Sequence, residues 1–159
     1  MKIREIQKED NEILASIIRQ CFHDFEVKNT CGTVYTDPTT DDLFKLFDEE
    51  NSILYVAEEN GQILGCCGLF PTIGLPEGCV ELVKFYLKKE SRGKGVGRML
   101  MSQCIDKAVD LGFNQVYLES IPEFGTAVSI YEKQGFKYLD KPLGDTGHTG
   151  CGIWLLKQL

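Results

Sequence analysis

Residues 91–100 read SRGKGVGRML, three glycines at alternate positions between two arginines, with apolar runs on either side. Where a strand ends and a helix begins, unsatisfied N–H groups point outward and the helix dipole adds roughly half a positive charge, so anions sit there readily. Gly93, Gly95 and Gly97 remove side chains that would block close backbone approach, and they permit the positive φ at which successive N–H groups converge. The stretch is not a P-loop, because Gly93-Lys94 is followed by Gly95 and lacks the upstream glycine of G-x-x-x-x-G-K-[ST]. It is not a dinucleotide fingerprint either, since the spacing is G-x-G-x-G and the preceding elements read as antiparallel rather than βαβ. Two readings stand at this point: an anion cradle of another kind, or a glycine-rich turn without a ligand.

Outward from this loop the pattern is regular. The run CVELVKFYLKKE before it reads as a long strand, and the apolar residues from Val96 to Leu111 recur at helical spacing up to Gly112, a C-terminal cap. Upstream, ILYVAEENGQILGCCGLF presents two strands around Asn60-Gly61, a strong hairpin signal. Lys2 to Ile6 read as a strand, Asp10 as the cap of a helix over EILASIIRQCF, and PTTDDLFKLFDEE as a second helix capped by Thr39 or Thr40. The irregular segment Asp24–Asp37 between the helices is a candidate substrate loop. Downstream, QVYLES is a strand, a helix runs from Pro122 to Gln134, and FKYL and CGIWLLK are two strands joined by DKPLGDTGHTG. The expected order is β-α-α-β-β-β-α-β-α-β-β: one α/β (α+β) domain over residues 1–159, with helices flanking a mixed, mostly antiparallel sheet.

A chain of 159 residues is a natural size for one core. Its net charge of −7 and pI near 4.9 repel a phosphate backbone or an anionic membrane, which excludes nucleic acid as the expected partner and favours cationic substrates. The seven cysteines are odd in number and contain no C-x-x-C pair, so neither a disulfide framework nor a metal site is expected. Cys66 and Cys67 are adjacent in a strand and should point to opposite faces as small hydrophobes. The free thiols suggest a reducing cytoplasm. The stretch MKIREIQKED has no apolar core of a signal peptide, and no run approaches a membrane span.

The segment Arg92–Gly97, RGKGVG, resembles the [RQ]-x-x-G-x-[GA] signature of the GCN5-related N-acetyltransferase (GNAT) superfamily, and AVSIYEKQGF, residues Ala127–Phe136, is similar to its second signature. ELVKFYL, opening at Glu81, looks like the fourth strand of that family. The resemblance spans nearly the whole chain. It departs at Phe124, where many members carry an asparagine three positions before the alanine. LESIPEFGTA is similar to a branch that also lacks it.

What the resemblance implies is an acetyl-coenzyme A dependent N-acetyltransferase, with acetyl-CoA as co-substrate, no metal, and direct transfer to a primary amine in a ternary complex. The glycine loop would cradle the pyrophosphate through backbone amides of Gly93, Lys94, Gly95, Val96, Gly97 and Arg98, with charge from Arg92, Lys94 and Arg98. Amides near Phe85, Tyr86 and Leu87 would meet the thioester oxygen, Glu81 would be the general base, and Tyr131 the acid that protonates the departing sulfur. For each side chain the alternative is a plain surface or packing residue. His23 reads as a helix cap, and His148 as a turn, a substrate-side wall or a homodimer contact. A Cys151/His148/Asp145 nucleophile is set aside, because the implied route needs no covalent enzyme intermediate. Polyamine, amino acid, aminoglycoside and protein N-terminus stay open as acceptors, and a coenzyme-binding regulatory module without turnover is the alternative to an enzyme.

Overall fold

The computed structural model describes residues Met1–Leu159. Seven strands, β1 (Lys2–Glu5), β2 (Ile53–Glu59), β3 (Gln62–Phe70), β4 (Cys79–Leu87), β5 (Gln115–Ser120), β6 (Lys137–Tyr138) and β7 (Ile153–Gln158), lie in the order β1-β2-β3-β4-β5-β7-β6. All neighbours are antiparallel except β4 and β5. The helices are α1 (Asn11–Asp24), α2 (Leu43–Leu46), α3 (Val96–Asp110) and α4 (Gly125–Lys133). The element order is the one expected, within one α/β domain.

The β2–β3 hairpin turns at Asn60 and Gly61, both at positive φ (52° and 76°), which gives a turn whose twist matches the strands. The second expected helix is shorter than its sequence pattern: a 3-10 turn over Pro38–Asp41, then a single turn of α2. Asp42, at φ −139° and ψ 65°, breaks the helical path, and the caps are Asp37, which accepts from the Thr39 N–H, and Asp42, which accepts from that of Lys45. Thr39 and Thr40 therefore lie inside the turn. Asp10 stands at the N-cap position of α1 as expected, but its side chain makes no capping bond to that helix. Its carboxylate takes Arg4 at 2.7 and 2.9 Å and the Gln7 N–H at 2.7 Å, tying β1 to α1 instead of capping the helix.

The two faces of the sheet bury separate apolar clusters. One gathers Leu100, Met101, Cys104 and Ala108 of α3 against Cys67, Leu69, Val80, Val116 and Leu118. The other gathers Leu14, Ile18 and Phe22 of α1 against Leu54, Val56 and Cys66. The adjacent cysteines thus face opposite ways, as strand alternation requires, and all seven thiols are free. Each fully buried Leu or Phe in these layers contributes about 1.5–3 kcal/mol. No helix is long and apolar enough to cross a membrane.

Candidate active site

Strands β4 and β5 stay together for three residue pairs only, Cys79 with Gln115 to Glu81 with Tyr117. Beyond them β4 follows β3 and β5 follows β7, so the sheet parts into a wedge. The cause lies in β4 itself, where the register against β3 shifts between Cys66 and Gly68 and Lys84 adopts φ 55°. One extra residue bends and twists a strand in this way. The resulting cleft encloses about 1030 Å³ counting its open mouth, and residues from both faces of the sheet line it.

Glu81 sits at the apex, 4% exposed, and Thr72 donates its hydroxyl to the carboxylate. Burial, reinforced by the nearby Glu119 charge, pushes the Glu81 carboxyl up to about 7 against the opposing Thr72 hydrogen bond and the Lys84 charge. A carboxyl in that range exchanges protons at neutral pH. Tyr131, on α4, is 6% exposed and lines the same cleft. Its ring is packed against Phe85 and Phe136, with centroids 5.8 and 5.9 Å away. Burial pushes its phenol up, so it keeps its proton. The sequence gives no view of this pairing of a titrating carboxyl with a phenol that is protonated at neutral pH, which comes from depth in the cleft.

The donors on the open edge of β4 follow from alternation. The Lys88 N–H bonds the Leu64 carbonyl at 2.8 Å, so the Tyr86 N–H also turns toward β3 and that of Leu87 turns to the edge where no strand lies. Phe85 follows the bulged position. The Tyr86 ring instead joins Phe22 and Phe124 in an aromatic wall, with centroids 6.1 and 6.0 Å away. Phe124, the departure from the sequence signature, also packs on Phe22 and Phe25 at 5.1 and 5.5 Å, closing the cleft toward α1.

In the glycine loop Gly93 and Gly95 have φ 73° and 82°, and a Cβ at either would meet nothing within 4 Å. Space and exposed backbone therefore coincide at the N-terminus of α3, which no side chain caps. These residues fit a diphosphate. Gly97 serves packing instead, since its Cβ would lie 2.9 Å from the Phe85 ring. Lys94 and Arg98 are exposed. The Arg92 guanidinium is committed within the chain, to Asp24 at 2.6 Å, the Leu87 carbonyl at 3.0 and 3.1 Å and the Phe25 ring at 4.7 Å. It anchors the end of α1 to the end of β4, and its backbone is what remains for the loop.

The far end of the cleft holds residues that the motifs do not identify. Asp37 accepts from Thr39 at 2.7 and 2.9 Å, and its Oδ2 lies 3.0 Å from His148 Nε2 and 3.8 Å from Lys84 Nζ. Burial pushes Asp37 up, but the bonds from His148 and Thr39 outweigh it and hold the carboxyl at about 2. Glu119 accepts from Tyr117 at 2.9 Å and Thr146 at 3.0 and 3.1 Å, and burial pushes its carboxyl up. The Gly150 N–H donates to the Gly32 carbonyl at 2.9 Å, so the Asp24–Asp37 segment and the His148 loop close on each other as one wall. Cys151 lines this wall with its thiol pushed up to about 12 by burial, and His148 pairs with Asp37 rather than with it. His23 lies 3.2 Å from the Tyr35 hydroxyl, away from the cleft. The one legible signal for Lys84 was a lysine inside the apolar run ELVKFYL.

Comparison with known proteins agrees with this fold. Residues 12–136 match the model of the acetyltransferase (GNAT) family. The uncharacterized N-acetyltransferase YjgM of Escherichia coli (strain K12) is 31% identical over 157 residues, 99% of this chain and 94% of that protein. Among solved structures, an acetyltransferase of the GNAT family from Staphylococcus aureus Mu50 superposes with a TM-score of 0.86 at 21% identity, over 99% of this chain and 98% of that one. The PaiA N-acetyltransferase of Thermoplasma acidophilum, solved in complex with coenzyme A, superposes with a TM-score of 0.75 at 19% identity, over 99% and 98% of the two chains.

Proposed function

The chain belongs to the acetyltransferase (GNAT) family, and from that premise we propose that it transfers an acetyl group from acetyl-CoA directly to a primary amine. The observation that carries the proposal is the convergence of Glu81 and Tyr131 on one cleft that Arg92 of the glycine loop and His148 also line. Acetyl-CoA supplies the activated acyl group. Backbone amides from Gly93 to Arg98 hold its phosphates, with Lys94 and Arg98 adding charge and Arg92 its amide. The Leu87 amide, turned to the open edge of β4, and the Phe85 amide beside the bulge would donate to the thioester oxygen on which charge develops, and Tyr86 forms the wall.

Glu81, as carboxylate, takes a proton from the ammonium, freeing the nitrogen lone pair to bond the thioester carbonyl carbon. The C–S bond breaks, and Tyr131 gives its hydroxyl hydrogen to the departing sulfur; the nitrogen, cationic after attack, loses its second proton, which restores the Tyr131 phenol, and the proton held by Glu81 passes to solvent. Burial keeps the phenol protonated until the sulfur departs, and it is the negative charge building on that sulfur that draws the hydrogen across. The working location is the cytoplasm, the substrate a small-molecule or peptide amine.

The test is calorimetric titration with acetyl-CoA, coenzyme A and ATP, followed by thiol release with amines. Saturable binding of acetyl-CoA and coenzyme A but not ATP is expected, and Tyr131→Phe should lower kcat about a hundredfold with nearly unchanged coenzyme affinity. Unaltered turnover would remove Tyr131 from the mechanism. Binding without turnover of any amine would leave a coenzyme-binding module.

A further inference from the structure

The strand that carries Glu81 also carries a cation that the fold leaves short of partners. Lys84 occupies the bulge of β4 at φ 55°, a strained backbone state for a residue with a side chain, and one that persists only where the surroundings enforce it. Its side chain is 3% exposed and lines the cleft. An ammonium has three hydrogens to donate, yet its single ionic neighbour is Asp37 at 3.8 Å, too long for a hydrogen bond. That carboxylate is already occupied by His148 and Thr39. A ligand that brings acceptor oxygens to Lys84 recovers what burial has taken from it.

Amine acceptors of different charge meet this cation differently. A polyamine would set a second ammonium against it, and a neutral amine would offer it no charge. A carboxylate offers two oxygens and the opposite sign. Glu81 stands three residues earlier on the same strand, about 10 Å at most between Cα atoms at ~3.3 Å per residue, and both side chains line the same cleft. One small molecule therefore reaches both.

We propose that the acceptor is an amino acid, a small primary amine bearing a carboxylate, and that Lys84 holds the carboxylate while Glu81 receives the amine. This rests on the acetyl-transfer reading above. Lys84 acts on which amine is used rather than on the chemistry of transfer; burial pushes its ammonium toward losing its proton, and the Asp37 charge 3.8 Å away opposes that shift when the site is free.

The test measures thiol release with each of the twenty amino acids, their carboxamides, putrescine and spermidine, and calorimetric binding of the same compounds to the coenzyme A complex. At least one amino acid is expected to exceed its carboxamide in kcat/KM by about ten- to hundredfold, as loss of a charge-assisted bond implies. Lys84→Met, which fills the space with an apolar chain of similar length, should erase that ratio mainly through KM, and Lys84→Arg should restore part of it. Equal use of acids and carboxamides, or a ratio that survives in Lys84→Met, overturns the assignment while acetyl transfer stands. Carboxylate-dependent, Lys84-dependent binding without turnover upholds the assignment and sinks the transfer. Neither binding nor turnover of any amino acid overturns it.

Discussion

At the scale of single residues, depth does the tuning. Glu81 is a carboxyl that burial lifts to about 7, so only above that pH is it a base. Activity should therefore rise with pH through an inflection near 7, and Glu81→Gln should remove the inflection and lower kcat about a hundredfold or more; a pH–rate profile of both proteins checks this, and an unchanged limb in the variant would exclude Glu81. The sign is that of an acid whose proton is held more tightly in the fold. Both residues proposed to handle protons stand in motifs that can be read from the sequence, Glu81 by its distance from the glycine loop and Tyr131 by its place in AVSIYEKQGF. Lys84 and Asp37 could not be paired from the sequence, because their approach depends on an irregular segment folding back over the sheet. Arg92 was legible as a loop cation, but its commitment to Asp24 depends on where α1 ends, which no local pattern encodes.

At the scale of elements, periodicity and glycine punctuation were reliable guides where segments were long. α1, α3 and the β2–β3 hairpin fall where their patterns place them. The second helix did not, because Asp37 and Asp42 cap two separate short turns and a run of polar residues carries no period long enough to reveal the break. The bulge in β4 was equally silent, as it centres on a lysine rather than on a glycine. The loop before α3 gives the prediction that belongs here. Gly95 caps the helix at φ 82° with open space around it, so Gly95→Ala meets no clash within the chain and pays for backbone strain alone, about 1–2 kcal/mol. The thermal midpoint should fall modestly, while coenzyme A affinity measured by calorimetry should fall at least tenfold, because the added methyl enters the space against which a phosphate would rest. Equal affinity would place the phosphates elsewhere.

At the scale of the whole molecule, the composition and the order of elements foretold one layered domain, and alternation foretold that Cys66 and Cys67 would serve different cores. What the sequence does not convey is how thinly the sheet is joined. Four strands lie on one side of the β4–β5 contact and three on the other, and only three residue pairs span it. This is a seam, and backbone protection should follow it. In hydrogen–deuterium exchange, amides at Gln115–Tyr117 and along the open edge of β4 should exchange faster than those shared by β2 and β3, and coenzyme A should slow them; uniform rates across the sheet would count against the seam. A substrate lodged in the wedge touches both half-sheets, and so takes over part of the joining that the missing rungs would otherwise provide. The protein should then be stiffest while its cleft is filled and loosest between turnovers, with each departing product reopening the line along which the next pair must enter.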